Sequence, residues 1–216
     1  MRDAYLRELE SLDQEVVRMG ALVEQSVQMV TTALMEADKD LAQKVRDGDQ
    51  QVDEAVLDIE KRCLIILAQQ APVAGDLRLI VAILRIVGDL ERTGDLAYNI
   101  AKLVQLDDFR EPSVKPVRGL VAELGRASAS LLGKAIDAWA TKDESLAADL
   151  ALQDNKLDEL HTELIRRLID LDGEENIGPA LRLAMVGRYL ERIGDHAVNL
   201  GDRVRYFVTG DAEFLT

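Results

Sequence analysis

The chain has 216 residues, of which 48% are hydrophobic and 31% are charged, and its 40 acidic and 26 basic residues give a net charge of −14. Nucleic acid and anionic lipid should repel such an acidic chain, so we expect neither as a partner. The single cysteine excludes an internal disulfide. The longest apolar run, Leu79 to Leu84, is far shorter than the roughly 18 residues of a membrane span. Since no apolar signal core follows Met1, the sequence predicts a cytoplasmic protein without membrane insertion.

The first half of the chain shows the periodicity of three amphipathic helices. Apolar or small residues recur at alternating steps of three and four, a pattern typical of helical bundles. The first stripe is Leu9, Leu12, Val16, Met19, Val23, Ser26, Val30, Ala33 and Ala37, the second is Val45, Val52, Val56, Ile59, Cys63 and Ile66, and the third is Ile80, Ile83, Val87, Leu90, Gly94, Ala97, Ala101 and Val104. Pro72 and Gly75 end the second helix, and Asp76 suits the N-terminus of the third.

A polar stretch divides the chain near its middle. It runs from Asp107 to Lys115, with Pro112 inside it and Pro116 directly after it, which makes it the clearest linker in the sequence. Beyond it the same periodicity predicts helices at about 117–141, 144–170 and 179–208. Pro179 suits the first turn of the last of these helices.

The two halves are copies of one unit. Residues 90–99 and 190–199 share seven of ten residues at an offset of 100. Upstream, Asp49 aligns with Asp154 at an offset of 105. The difference of five falls between the second and third helix of each unit, so we expect a longer connection in the first half. The sequence therefore predicts an all-α fold of six long helices in two tandem three-helix bundles: residues 1–106, a linker at 107–116, and residues 117–216.

Each unit has the same acidic residues on two helices that should pack together. Glu91, Asp95 and Asn99 are spaced by four, which places them in one stripe on the exposed flank of the third helix. Asp49 and Asp53 form a similar pair on the second helix. Four carboxylates and an amide could thus converge on one surface groove in each half. The candidate metal ligands are Asp49, Asp53, Glu91, Asp95 and Asn99 in the first unit, and Asp154, Asp158, Glu191, Asp195 and Asn199 in the second.

Two interpretations of these acidic residues compete. Clustered carboxylates repel one another unless cations neutralise them, and oxygen-rich groups suit hard cations such as Fe(III), Mn, Mg or Ca, with Zn as a further alternative. The other interpretation is an ordinary solvated face that is neutralised by Arg92 and Arg192. Arg92 precedes Asp95 by three residues, which is the spacing of an ion pair on a helix.

The remaining residues of chemical interest point to structural roles. Cys63 lies in an apolar stripe and is predicted to be a core residue. His161 aligns with an apolar position and should be a buried, hydrogen-bonded imidazole, whereas His196 should lie on the surface. Gly94 and Gly194 are mid-helix, where close approach of a neighbouring helix would explain them. The sequence contains no nucleotide-binding loop, catalytic triad or zinc-finger pattern, so we expect a protein that is not an enzyme.

Several of these motifs resemble the PhoU family of bacterial phosphate-homeostasis regulators. They are the doubled Leu-Glu-Arg-x-Gly-Asp motif at 90–95 and 190–195, Asn199, Asp49 and Asp154, Gly48 before Asp49, and Pro72 followed by residues 75–79. The resemblance covers about residues 4 to 208. It implies frequent dimers and, in some members, multinuclear metal clusters held by the acidic pairs, with iron as the first expectation and zinc, manganese or magnesium as alternatives. Val73 departs from the family, which commonly has a hydroxyl residue there.

The resemblance also implies a function. It predicts a non-enzymatic negative regulator of phosphate uptake and phosphate-starvation signalling, acting as a cytoplasmic homodimer. Its partners would be the ATPase subunit of a phosphate ABC transporter (PstB-like) and a sensor histidine kinase (PhoR-like). Two alternatives stay open from the residues alone: a multinuclear metal-binding or storage protein, and a purely structural helical adaptor.

Overall fold

The computed structural model describes residues 2–106 and 114–215, and these ranges contain six long helices and no strand. The helices are α1 (Arg2–Glu36), α2 (Lys39–Gln70), α3 (Ala74–Leu106), α4 (Lys115–Thr141), α5 (Glu144–Ile169) and α6 (Ile177–Thr209). The predicted all-α fold is confirmed, and the boundaries predicted for the second half lie within two residues of those observed. Because α4 begins at Lys115, the end of the predicted linker is helical, and residues 107–113 lie outside the described ranges.

The prediction of a longer connection in the first half is wrong. Helix α2 has 32 residues against 26 in α5, and only residues 71–73 join α2 to α3. Residues 170–176 join α5 to α6, and this segment includes a short 3-10 turn. Gly173 in this segment has a φ of 100°, a backbone conformation that residues with a side chain rarely adopt. The extra residues of the first unit thus lengthen its helices, while the second unit uses the longer loop.

The turn between the first two helices is the same in both units, down to single hydrogen bonds. Ala37 and Lys142 occupy aligned positions, and both adopt the left-handed backbone conformation, with φ of 51° and 54°. The next amide, that of Asp38 or Asp143, donates to a carbonyl oxygen in the last turn of the preceding helix, at 2.9 and 3.0 Å. Each aspartate side chain then accepts from an amide in the first turn of the following helix, also at 2.9 and 3.0 Å.

The two units pack side by side with opposite chain directions. The starts of α1 and α3 are adjacent, since the Tyr5 hydroxyl donates to Asp76 at 3.0 Å. The end of α4 reaches the start of α1, where the Lys142 ammonium donates to Asp13 at 2.6 Å. Helices α1, α3, α6 and α4 form a central four-helix bundle, in which α1 contacts α4 and α3 contacts α6. Helix α2 covers α1 and α3, and α5 covers α4 and α6, so α2 and α5 lie on opposite flanks.

The contact between α1 and α4 depends on one glycine from each helix. A Cβ atom on Gly20 would lie 2.9 Å from the Ile136 side chain, and one on Gly125 would lie 2.5 Å from the Thr31 side chain. Gly20 aligns with Gly125, and Thr31 aligns with Ile136, both at the offset of 105. Each contact therefore repeats the other with the units exchanged, as in the interface of a two-fold symmetric dimer.

The contact between α3 and α6 contains a buried polar pair that has no counterpart. His196 is 8% exposed and Asp89 is 5% exposed, and His196 Nδ1 lies 3.3 Å from Asp89 Oδ1. The predicted surface position of His196 is thus wrong, because the side of α6 on which it lies faces α3 and not solvent. Leu96 and Tyr189 occupy the aligned positions, so the polar pair occurs once in the molecule.

The apolar stripes of the six helices form one continuous core. Cys63 is fully buried, and this burial raises the pKa of its thiol to about 11, which confirms a packing role. Trp139 is also buried, and its ring centroid lies 5.9 Å from that of Phe207. In the part of the chain that the structure describes, no helix is long and apolar enough to cross a membrane.

The two capping aspartates yield a matched test of the duplicated turn. We expect Asp38→Ala and Asp143→Ala each to lower the free energy of unfolding by about 1 kcal/mol, because each removes an acceptor for orphan amides. The turns lie at opposite ends of the bundle, so the double variant should lose about 2 kcal/mol. Urea unfolding followed by circular dichroism measures these losses. Asp38→Asn keeps a capping side chain and is the control, and a loss equal to that of the alanine variant would contradict the capping role.

Candidate metal-binding grooves

The first groove lies between α2 and α3, where a glycine lets an aspartate approach the backbone. A Cβ atom on Gly94 would lie 3.5 Å from Asp49 Oδ1, so this carboxylate rests against α3 and is half-buried. Burial raises the pKa of Asp49, and the charges of Asp53, Asp95 and Glu91 raise it further. The two predicted acidic pairs of the first unit therefore share one electrostatic environment.

The second groove, between α5 and α6, repeats this arrangement more tightly. A Cβ atom on Gly194 would lie only 2.5 Å from Asp154 Oδ1. Burial raises the pKa of Asp154 to about 6, with further contributions from Asp158, Asp195 and Glu191. Asp154 Oδ1 is buried and has no hydrogen-bond partner among the residues described. The two glycines thus have a second effect beyond close helix packing, because they let one carboxylate of each unit enter the interface.

Eight of the ten predicted ligands therefore form two clusters of four carboxylates whose charges interact across the two helices of each groove. Asp53, Asp95, Asp158 and Asp195 are exposed, Asp49, Asp154 and Glu91 are half-buried, and Glu191 is buried. Asn99 and Asn199 lie one helical turn beyond Asp95 and Asp195 and are half-buried. Within the described ranges neither asparagine side chain forms a hydrogen bond, and both stand at the edge of their groove.

The arginines that could have neutralised the clusters do not do so. Arg92 lies 3.5 Å from Asp89, which precedes it by three residues on α3, and not beside Asp95, which follows it by three. Arg192 forms no ion pair with any residue in the described part of the chain. Of the eight clustered carboxylates, only Glu191 has a basic partner there, the guanidinium of Arg188. The interpretation of an ordinary neutralised face is therefore wrong for Arg92 and Arg192.

Two residues that sequence reasoning did not assign to the site make the grooves unequal. Arg188 precedes Glu191 by three residues, a spacing that could have identified it, and Gly88 occupies the aligned position. His161 packs against the backbone of Gly187, one turn before Glu191. Burial and neighbouring acids raise the pKa of Glu191, while Arg188 and His161 oppose that shift.

His161 differs in part from its prediction. It faces the neighbouring helix as expected, but it is only half-buried, and its Nε2 has no hydrogen-bond partner in the described residues. The predicted hydrogen bond is therefore wrong. Val56 is the aligned residue of the first unit, so an imidazole stands at the border of the second groove and not of the first.

The composition of both clusters fits a hard cation. The donors are carboxylate oxygens, most of them without a basic partner, and one oxygen is buried without a hydrogen bond. Within the described residues no three His, Cys, Asp or Glu side chains already form a metal site. The exposed carboxylates would therefore have to rotate toward Asp49 or Asp154, which surface side chains do readily.

Each of the two units matches a known protein family. A family model described as the PhoU domain matches residues 16–104 and again residues 121–204. The chain belongs to the PhoU family. Each matched range includes both acidic pairs of one unit, so the duplication seen in the sequence is a repeat of the PhoU domain.

Relatives in the PhoU family are similar over nearly the whole chain. The chain is 38% identical over 206 residues to the phosphate-specific transport system accessory protein PhoU homolog of Pseudomonas putida, an alignment that covers 94% of this chain and 80% of the relative. It is 32% identical over 210 residues to the PhoU homolog 2 of Mycobacterium tuberculosis, with 97% and 99% of the two chains covered.

Solved PhoU structures have the same fold. The crystal structure of PhoU from Pseudomonas aeruginosa matches with a TM-score of 0.91 and 35% identity, and the match covers 96% of this chain and 100% of the other. That of the phosphate transport system regulatory protein PhoU from Streptococcus pneumoniae matches with a TM-score of 0.87 and 27% identity, covering 96% and 98%. The arrangement of two three-helix units is therefore a PhoU fold.

The raised pKa of Asp154 predicts a pH-dependent cost of folding. The folded carboxyl binds its proton up to about pH 6, whereas the ordinary value is 3.8. Because folding favours the protonated form, stability should fall as pH rises from about 4 to about 6 and stay reduced above that. The full difference would correspond to about 3 kcal/mol, and partial exposure reduces our expectation to about 1 kcal/mol.

Asp154→Asn should therefore stabilise the metal-free protein by about 1 kcal/mol at pH 7 and by much less at pH 4. Urea unfolding in the presence of a chelator, at both pH values, measures the gain. Asp149→Asn removes an exposed charge from the same helix and is the control for the general relief of negative charge. A gain of equal size in both variants, or one independent of pH, would contradict the burial of Asp154.

Proposed function

We propose that this protein is a non-enzymatic negative regulator that couples a phosphate ABC transporter to a sensor histidine kinase. A role in phosphate transport is supported by membership of the PhoU family and by relatives named as phosphate-specific transport accessory and regulatory proteins. The proposal rests above all on the doubled acidic motif in a two-unit fold. The sequence offers no nucleotide-binding loop or nucleophile–base pair with which to assign catalysis.

In this proposal the protein acts by binding two partners. Because α2 and α5 lie on opposite flanks of the bundle, each unit presents a separate acidic groove and outer helix face. One flank would bind the PstB-like ATPase subunit and the other the PhoR-like kinase, in the cytoplasm and with the regulator as a homodimer. The net charge of −14 disfavours binding to DNA, so an effect on transcription would pass through the kinase.

We further propose that the grooves bind metal ions. Asp49, Asp53, Glu91 and Asp95 would hold an ion or cluster in the first unit, with Asn99 at the edge. Asp154, Asp158, Glu191, Asp195 and Asn199 are the corresponding residues of the second unit. A bound cation would offset the burial and the repulsion that raise the pKa of Asp49 and Asp154, and would hold the two helices of each groove together. Iron is the first expectation, and zinc, manganese and magnesium are alternatives.

Deletion of the gene tests the regulatory proposal. We expect phosphate-starvation genes to be switched on in phosphate-rich medium and phosphate uptake to exceed its normal level, because the restraint on the transporter and the kinase is lost. A promoter reporter and uptake of radiolabelled phosphate measure the two effects, and a plasmid copy of the wild-type gene should reverse both. Repression that persists after deletion, in a strain with no related gene, would refute the proposal and favour the metal-binding alternative.

Matched substitutions test the metal proposal. Glu91→Gln with Asp95→Asn should reduce cation binding by the first groove and leave the second intact, and Glu191→Gln with Asp195→Asn should do the reverse. Since Arg188 already neutralises Glu191, we expect the first groove to bind more tightly. Equilibrium dialysis with elemental analysis measures the bound metal. An absence of metal from wild type and both variants would leave the grooves as charged surfaces only.

A further inference from the structure

An exposed apolar surface lies at one end of the second unit, beyond the second acidic groove along the same two helices. Ile169 is 78% exposed, Ile177 is 63% exposed and Leu181 is 67% exposed. Together with Ile165, Leu171 and Ala184 they line an open groove of about 300 Å³ between the end of α5 and the start of α6, which we call the end groove. Contiguous exposed aliphatic side chains of this kind typically mark an interaction surface.

The spacing of these residues fits a helical partner. Ile177, Leu181 and Met185 recur every four residues and form one ridge along α6, and Met185 is 43% exposed. Ile165 and Ile169 form a parallel ridge on α5 with the same spacing. Two ridges with a groove between them are the geometry that accepts the side chains of a third helix.

The first unit is an internal comparison, and it has only part of this surface: Leu64 and Leu77, at the positions of Ile169 and Ile177, are apolar and exposed. Glu60 stands at the position of Ile165, and Arg85 stands at the position of Met185, and both are exposed. The repeated fold therefore does not require apolar residues at these places. Only in the second unit are both ridges free of charged residues, which points to a contact that this unit makes.

The charge around the end groove indicates what kind of helix would bind. The connection beside it contains four exposed acidic residues, Asp170, Asp172, Glu174 and Glu175, and none forms an ion pair with a described residue. Of the nearby basic residues, Arg166 and Arg167 are both paired with Glu163, and Arg182 also has an interaction partner. The corresponding connection of the first unit, residues 71–73, has no charge.

We propose that the end groove binds a basic amphipathic helix of a partner protein. Aliphatic side chains of that helix would enter the groove, and its lysines or arginines would lie against residues 170–175. The acidic edge opposes docking on an anionic membrane. This assignment goes beyond the regulatory proposal, because it rests on the shape and charge of the surface and not on phosphate signalling.

Fluorescence anisotropy with purified full-length protein tests the assignment. The probe is a labelled helical peptide of about 14 residues, or four turns, with leucines on one face and lysines elsewhere. The matched peptide has glutamate in place of lysine. We expect the lysine peptide to bind with a Kd of roughly 10 μM and to weaken with salt, and the glutamate peptide to bind at least about tenfold more weakly.

Substitutions at exposed positions locate the bound peptide. Ile169→Gln with Ile177→Gln should raise the Kd of the lysine peptide at least about tenfold, which corresponds to about 1.4 kcal/mol. Leu64→Gln with Leu77→Gln changes the aligned, exposed residues of the first unit and should leave the Kd unchanged. Replacing Asp170 and Asp172 with Asn and Glu174 and Glu175 with Gln should weaken binding and flatten its salt dependence. Circular dichroism verifies that each variant is folded.

Three results would overturn the assignment. The first is no binding of the lysine peptide, and the second is equal binding to wild type and to Ile169→Gln with Ile177→Gln, which would place the peptide elsewhere on the acidic surface. The third is a dimer, seen by light scattering, that this double variant abolishes, because the groove would then be occupied by a second copy. These assays contain no transporter, kinase or phosphate, so their failure leaves the gene-deletion test of regulation unaffected.

Discussion

The close approach of α1 to α4, which glycine at positions 20 and 125 permits, determines how the two units are placed. With these helices in contact, α3 must lie against α6, and the remaining helix of each unit can only cover an outer flank. That placement puts the two carboxylate clusters on opposite sides of the bundle. A side chain at either glycine would push the units apart and disturb every contact between them, including the buried pair of Asp89 and His196.

Within each unit a second glycine allows close helix packing that buries a carboxylate. Gly94 and Gly194 leave room for the carboxylates of Asp49 and Asp154, and burial then disfavours the charged form of each. A fold selected for stability alone would place an amide or an apolar residue at these two positions. The four clustered acids of each unit therefore reduce the stability of the fold, and the cation proposed above would offset that cost.

The fold could be predicted from the sequence because its signals are local and repeated. Helical periodicity, Pro72 and the two offsets were enough to predict six helices in two units. The surroundings of His196 and the ion-pair partner of Arg92 were not predictable in this way. Helical spacing gives the direction in which a side chain points, but not which helix or residue lies there. Arg92 has acids at i−3 and i+3, and it lies 3.5 Å from the first of them, Asp89, a buried carboxylate that also lies beside His196. The five-residue offset likewise did not reveal whether a helix or a loop had changed in length.

The exchanged contacts of Gly20 with Ile136 and of Thr31 with Gly125 have the form of an interface between two identical molecules, yet both sides belong to one chain. Dilution therefore cannot separate them, since a covalent link replaces the bimolecular association that a homodimer needs. Even at low concentration, the two units therefore stay assembled in a one-to-one ratio. Because the two units are separate parts of one sequence, each can also have its own residues at equivalent positions, which the subunits of a homodimer cannot. The second unit has Arg188 and His161 beside its groove, where the first unit has Gly88 and Val56.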